Sequence, residues 1–348
     1  MKTTDEGSHN DSPVFIVGCP RSGTSLLRDL LRSHPRLTFP PETFFIPTFY
    51  KAYGDPKDRD QAQKLAAKIL SLHWVKPWAR HLNLSPAVFA GERSYRGVVK
   101  RLFEAWAQKE NKPRWGDKTP YYVTDLPVLV KLFPVCKIIH IYRDGRDVAM
   151  SWLKFQPNAK NIYTSACLWK YFVSEGRRVG KGLPRENYYE VRYERLLENP
   201  VETMKDICHF LGETYVEAVT KPNFFENPSP EPLLGHWERK KWVSESEIVC
   251  SNRGKWKRNM PEPDQVLFES VAGDLLASLG YETKGRTRSV WQLERAFHQS
   301  HNFFWHLFQR VNQKTFFESL PGSIEMVKAK WITRWKDRDG QKLKTTSL

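Results

Sequence analysis

Residues 13–18 (PVFIVG) form a short apolar run rich in β-branched side chains, bounded by proline and glycine. Such a run reads as a buried strand. It passes through residues 19–25, a turn carrying Gly23, into Leu26, Leu27, Leu30 and Leu31, which repeat at helical spacing. His34-Pro35 stops that helix. A strand, a tight glycine turn and a helix in immediate succession open an α/β fold, and this constrains the chain more than any other feature.

The alternation continues. Residues 126–133 read as a helix and residues 137–142 (KIIHIY) as a second buried strand; Arg143 to Arg146 turn the chain into a third helix from about Asp147. Residues 187–192 (NYYEVR) are a further strand, and residues 200–211 a helix ended by Gly212. Strands alternating with helices predict a parallel sheet with helices on both faces. Between Glu42 and Lys112 the pattern is helical and rich in aromatics: Phe44, Phe45, Phe49, Tyr50, Tyr53, Trp74, Trp78, Phe89 and Tyr95. Residues from about 290 to 335 form a helical, aromatic and basic extension. No internal repeat is visible.

The first turn, Gly18-Cys-Pro-Arg-Ser-Gly-Thr-Ser25, points free backbone N–H groups and a helix N-terminus at whatever lies above it, which suits a phosphate-like anion. Arg21, Ser22, Thr24 and Ser25 add donors. The spacing approaches the phosphate loop of nucleoside triphosphatases, but Thr24 stands where that loop needs lysine, so triphosphate chemistry is not expected. A bare turn with no ligand is the competing reading. A second strand-to-helix turn carries Arg143, with Ser151 eight residues on and nearly on the same helical face as Asp147. Arg143 and Ser151 suit a second phosphate; an Arg143–Asp147 pair stapling the helix start is an equal alternative.

Charge agrees with an anionic ligand. The 348 residues carry 55 Lys and Arg against 39 Asp and Glu, a formal net charge of +16, which favours polyphosphates, anionic glycans or anionic lipid. A solvated basic surface is the plain alternative. No run of 18 apolar residues is present, which excludes a conventional membrane span. The first dozen residues lack an apolar core, so a secretory signal is not expected. Cys19, Cys136, Cys167, Cys208 and Cys250 lie far apart with no Cys-x-x-Cys pair. That argues against a zinc ribbon or disulfide framework and for a reducing, cytoplasmic location. No metal-ligand spacing and no nucleic-acid-binding motif is apparent, so neither partner is expected.

In combination these segments resemble the sulfotransferases that use 3′-phosphoadenosine 5′-phosphosulfate (PAPS). Pro20-Arg21-Ser22-Gly23-Thr24 matches the loop that holds the 5′-phosphosulfate in that family. Arg143, Asp147 and Ser151 match its 3′-phosphate helix start, and Arg253-Gly254-Lys255-Trp256 its late nucleotide-closing element. His34-Pro35 followed by Pro41-Glu42-Thr43, together with Asp117-Lys118-Thr119-Pro120, is most similar to the bacterial and tyrosylprotein branch. The matched motifs run from about Pro13 to Trp256. The resemblance implies a three-layer, P-loop-like α/β fold in residues 1–285, with an acceptor-pocket insertion at about 43–112. The helical basic extension, 286–348, is expected to pack on that domain.

By the same resemblance Glu42 takes the proton from an acceptor hydroxyl, and Arg21 and Lys118 stabilise charge on the transferred group. Arg21, Ser22, Gly23, Thr24, Ser25, Arg143, Ser151, Tyr193, Lys255 and Trp256 bind the nucleotide, with Trp256 stacking on adenine and Tyr193 near the adenine or 3′-phosphate. Transfer of SO₃ from a stable bisphosphate leaving group needs no metal. The acceptor is expected to be a carbohydrate, lipid-linked or small-molecule alcohol or phenol, with the tyrosine of a protein as the alternative. A P-loop phosphotransferase is disfavoured by Thr24. A non-catalytic polyanion binder, using the basic C-terminal third, is the rival from a different class. The extension itself has two readings: a packed aromatic helix, which is expected, or a contact with an anionic membrane surface or glycan, with Phe303, Trp305, Phe308 and Trp331 interleaved with Arg310, Lys314, Lys328 and Lys330.

Overall fold

The computed structural model describes residues 12–155, 161–221, 243–244, 247–248 and 252–301. Its core is a five-stranded, all-parallel sheet in the order β2-β3-β1-β4-β5. The strands are β1 (Val14–Val17), β2 (Leu37–Thr38), β3 (Arg114–Lys118), β4 (Lys137–Tyr142) and β5 (Tyr188–Arg192). Helix α1 (Thr24–Arg32) connects β1 to β2. The 42–112 segment contributes α2 (Ile46–Tyr53), α3 (Arg59–Leu70), α4 (Lys76–His81) and α5 (Tyr95–Lys109). Then come α6 (Leu126–Leu132), α7 (Gly145–Phe155), α8 (Ile162–Gly180), α9 (Tyr193–Glu198), α10 (Pro200–Leu211), α11 (Trp256–Asn259) and α12 (Glu262–Ser278). A small antiparallel pair joins Val243–Ser244 to Glu247–Ile248.

Side-chain alternation along β1 divides the interior. Val14 and Ile16 pack on one face with the four leucines of α1 and with Leu196, Met204 and Ile207 of α9 and α10. Phe15 and Val17 point the other way, into the aromatic layer of Phe45, Phe49, Trp78, Phe103 and Trp106. All four β1 residues and the α1 leucines are buried, each apolar side chain worth about 1.5–3 kcal/mol. A third cluster joins α7, α8 and α12 through Trp152, Trp169, Phe268 and Leu276. This is the expected sheet with helices on both faces.

The strand β4 and the helix α10 fall where their periodicity places them, and Gly212 closes α10 at φ 72°. Strand β3 does not read as a strand from its sequence, RWGDK, because only one of its five residues is apolar. It is buried because its charges are satisfied internally. Arg114 donates to Ser12 O, Ser12 Oγ, Leu211 O and Glu213 Oε1. Lys118 ends this strand, just before a 3₁₀ helix at Pro120–Thr124. Of the aromatics named in the 42–112 segment, Phe45, Phe49, Trp78, Phe89 and Tyr95 are core, and Phe44, Tyr50, Tyr53 and Trp74 are half-buried.

Of the C-terminal extension, only the part up to His301 lies within the described residues. Val290 is buried and His298 stacks on Tyr163 at 5.4 Å, whereas Trp291, Leu293 and Phe297 are exposed. The tryptophans and phenylalanines from Phe303 onward lie outside the described residues. No described helix is long and apolar enough to cross a membrane.

Candidate active site

Parallel strands deliver their C-terminal ends to one edge. In the sheet β1 lies between β3 and β4, with β2 and β3 on one side and β4 and β5 on the other, so a crevice opens above β1 where the winding reverses. Four segments meet there: the Gly18–Gly23 turn after β1, Lys118 at the end of β3, Arg143 after β4 and Tyr193 after β5.

The turn is tightly held. Ser22 N–H donates to Cys19 O and Gly18 N–H to Pro120 O, which ties it to the end of β3. Arg21 and Gly23 both adopt positive φ, 75° and 96°. At Gly23 a Cβ atom would stand 2.3 Å from the Tyr193 ring, so only glycine fits between the turn and that ring. Gly23→Ala is expected to cost about 1–3 kcal/mol through strained backbone and displacement of Tyr193. A thermal melt should show both a lower Tm and a smaller stabilisation by adenosine 3′,5′-bisphosphate; unchanged values for both would show that the turn tolerates a Cβ.

Two guanidiniums converge above the turn. Arg21 Nε donates to Ser151 Oγ at 3.0 Å, so the turn and α7 meet where a phosphate pocket was expected. Burial and the nearby Arg143 cation both draw the Arg21 pKa down, with Glu42 and Tyr193 opposing. Crowded cations favour an anion between them. Arg143 lies over the Tyr193 ring at 4.6 Å, and its Nη2 donates to Asp147 Oδ2 at 3.2 Å and Asn252 O at 2.7 Å. Its Nε is buried without a partner among the described residues. Arg143 thus staples the helix start through Asp147 and keeps one donor, Nε, in reserve.

Asp147 does something the sequence reading did not foresee. Its carboxylate accepts from Gly254 N at 2.8 Å and Trp256 N at 2.9 Å, so it fastens residues 252–256 across the crevice. Asn252 Nδ2 completes the strap by donating to the Tyr193 hydroxyl at 2.9 Å. Lys255 on this strap is exposed. Trp256 departs from expectation: it is 4% exposed, one face lies 3.5 Å below the Arg146 guanidinium, and it belongs to the α7–α8–α12 core. The ring packs in that core with one face against Arg146, which leaves little of it open for stacking on adenine. Tyr193 is likewise buried and acts as a floor under Gly23 and Arg143.

On the other side of the turn, Lys118 is buried and its ammonium donates to Ser25 Oγ at 3.2 Å and to the Glu42 carboxylate. Glu42 remains partly exposed, with 24% of its side chain accessible. The structure therefore joins Ser25, Lys118 and Glu42 at the edge of the crevice. His140 is fully buried in β4 with Nδ1 2.6 Å from the Tyr188 hydroxyl. Burial pushes its pKa down to about 4, so it is a neutral core residue. Thr24 is buried at the first turn of α1. Among the described residues no three His, Cys, Asp or Glu side chains cluster as metal ligands.

The family model described as "Sulfotransferase family" matches residues 13–217. The chain belongs to the sulfotransferase family. The protein-tyrosine sulfotransferase of Drosophila melanogaster is 26% identical over 275 residues, which cover 77% of this chain and 51% of that protein. The chain thus matches about half the length of that relative. A putative protein-tyrosine sulfotransferase of Caenorhabditis briggsae is 26% identical over 304 residues, covering 85% of this chain and 99% of that one. Among solved structures, the sulfotransferase domain of the Synechococcus PCC 7002 olefin synthase superposes with a TM-score of 0.54 at 22% identity, covering 81% of this chain and 99% of that domain. At that identity the likeness establishes the shared fold, in agreement with the three-layer architecture. Family membership disfavours the phosphotransferase and the non-catalytic polyanion binder considered from sequence.

Proposed function

We propose that this protein transfers a sulfuryl group from PAPS to an acceptor hydroxyl. The observation that carries the reading is the buried Lys118 ammonium set between Ser25 of the anion turn and the partly exposed Glu42 carboxylate. The residues fit a bisphosphate donor: Arg21 and the turn amides at one end, Arg143 with its unpartnered Nε and Ser151 at the other. The donor supplies an activated S–O bond whose leaving group is a stable nucleotide. Lys118 and Arg21 offset the negative charge that grows on the bridging and equatorial oxygens. Glu42 accepts the acceptor hydroxyl's proton as the new O–S bond forms. The strap at 252–256, held by Asp147, excludes water from the Arg143 side.

A phenolic acceptor, such as a protein tyrosine, is favoured by one feature. Trp74, Phe44, Tyr121 and Phe172 form, in that order, a contiguous half-buried aromatic strip with centroid spacings of 5.3, 6.1 and 5.8 Å, and Phe44 lies two residues from Glu42. The test is a panel of phenols, sugars, lipid alcohols and tyrosine peptides incubated with the full chain and ³⁵S-labelled PAPS. Label transfer to any hydroxyl acceptor supports the reading, and a preference for phenols supports the narrower one. Failure of adenosine 3′,5′-bisphosphate to raise the melting temperature at 100 times a micromolar Kd, where about 2.7 kcal/mol is expected, would overturn the donor assignment.

A further inference from the structure

Asp117, one residue before Lys118, is 1% exposed and touches neither the anion turn nor the strap through any described hydrogen bond. Its two oxygens serve two different segments. Oδ2 accepts from the Thr43 hydroxyl at 2.5 Å, and Oδ1 accepts from the Thr119 hydroxyl at 2.7 Å. Thr43 follows Glu42, and Thr119 follows Lys118. The Thr119 oxygen in turn accepts from Thr43 N–H at 3.2 Å. On the far side the Tyr122 hydroxyl accepts from Ile46 N–H at 3.0 Å and lies 2.8 Å from Thr43 Oγ1. With that N–H donating into it, the Tyr122 O–H is directed at Thr43, and the Thr43 O–H at Asp117. Trp74 Nε1 donates to Thr43 O and completes the enclosure.

The hydroxyl donors of this network therefore all run towards one carboxylate. The ionised carboxylate gives each hydroxyl an oxygen of its own, while each threonine oxygen accepts from another group. We propose that Asp117 is a positioning residue whose ionised carboxylate clamps the Glu42 segment to the end of β3, so that Glu42 and the Lys118 ammonium stay in register. This rests on the reading of Glu42 as proton acceptor and Lys118 as the stabilising cation.

The clamp has a pH signature. Burial raises the Asp117 pKa to about 7, opposed by the hydrogen bonds from Thr43 and Thr119; the Glu42 carboxylate adds to the rise and Lys118 opposes it. Glu42 and Lys118 from the two clamped segments and the Tyr122 hydroxyl are the titratable groups that face it. Below pH 7 the carboxyl gains a proton, one hydroxyl loses its acceptor, and the clamp loosens. Stability has the opposite sense: an acid whose folded pKa lies above its unfolded value of 3.8 contributes most below that value and loses the contribution as pH rises through 7. Turnover and stability therefore part company across this window. A purely structural aspartate would move both together.

The experiment uses the full chain and its Asp117→Asn and Thr43→Val variants. Turnover is read with ³⁵S-PAPS and tyramine as the probe acceptor, donor affinity by calorimetry with adenosine 3′,5′-bisphosphate, and the clamp itself by the ¹⁵N shift of the Thr43 amide from pH 5 to 9. The amide readout needs no acceptor. The expected result is a Thr43 titration with a midpoint near 7 that vanishes in Asp117→Asn, a kcat about 10²-fold lower in both variants, and bisphosphate affinity within about threefold of wild type. A Thr43 amide that does not titrate, or whose titration persists in Asp117→Asn, overturns the proposal, as does wild-type turnover in both variants. Glu42→Gln is measured alongside. If it keeps wild-type turnover the base assignment fails separately, and the Thr43 titration alone then decides the clamp.

Discussion

Glu42→Gln is expected to lower kcat by about 10²–10⁴-fold while leaving adenosine 3′,5′-bisphosphate affinity within about threefold of wild type. The amide is nearly isosteric with the carboxylate. Its carbonyl oxygen still accepts from the Lys118 ammonium, and nothing that holds Arg21, Ser151 or Arg143 changes. What the amide lacks is the capacity to take a proton. The loss should therefore fall on the chemical step, and single-turnover transfer from labelled PAPS measures it directly. Two readouts guard the interpretation. If donor affinity falls as well, the substitution has disturbed Lys118, and Glu42 acts by holding that ammonium. If kcat is unchanged, the proton leaves by another route; His140 is excluded from it by its burial against Tyr188. The pairing also explains why a lone loop glutamate after two prolines is indistinguishable in sequence from a surface carboxylate: its partner lies 76 residues away.

Local signals made the frame of the fold legible. The apolar runs of β1 and β4, the leucine spacing of α1 and the glycine stop after α10 each depend on a handful of neighbouring residues. Strand β3 was opaque for the opposite reason. Its Arg114, Asp117 and Lys118 are buried only because Ser12, Glu213, Thr43, Ser25 and Glu42 come from elsewhere to meet them. The same holds at the site. Glycine, arginine and serine at motif spacing identified the turn and Arg143, since those motifs are contiguous. For Trp256, an aromatic beside basic residues reads as a stacking platform, and the sequence carries no sign that Arg146 and the α12 layer enclose it. Asp147 reads from sequence as part of the helix start and a partner for Arg143; that its two oxygens also take the strap amides has no local signal. The Asp117 network left one trace, the four residues Asp117-Lys118-Thr119-Pro120, in which only the lysine drew notice.

Arg143→Ala should remove donor binding rather than slow the transfer. The wild-type guanidinium is 6% exposed, with Asp147 as its counter-ion and Tyr193 beneath it. Loss of a charge-assisted hydrogen bond to a buried phosphate costs about 1.5–3 kcal/mol, and the empty space would leave Asp147 paired only with two backbone amides. Calorimetry with adenosine 3′,5′-bisphosphate should show at least a tenfold weaker Kd, since about 1.4 kcal/mol is a factor of ten. Two causes must be separated, because Arg143 also donates to Asn252 O and so helps to hold the strap. Asn252→Ala breaks the strap's bond to Tyr193 and leaves the guanidinium in place. If the strap alone controls affinity, both variants weaken binding equally. If Arg143 holds phosphate, its variant is much the weaker, and adenosine 5′-phosphate, which lacks the 3′-phosphate, binds wild type and Arg143→Ala alike. That last comparison is decisive: an Arg143→Ala protein that still prefers the bisphosphate over the monophosphate would place the 3′-phosphate elsewhere in the crevice.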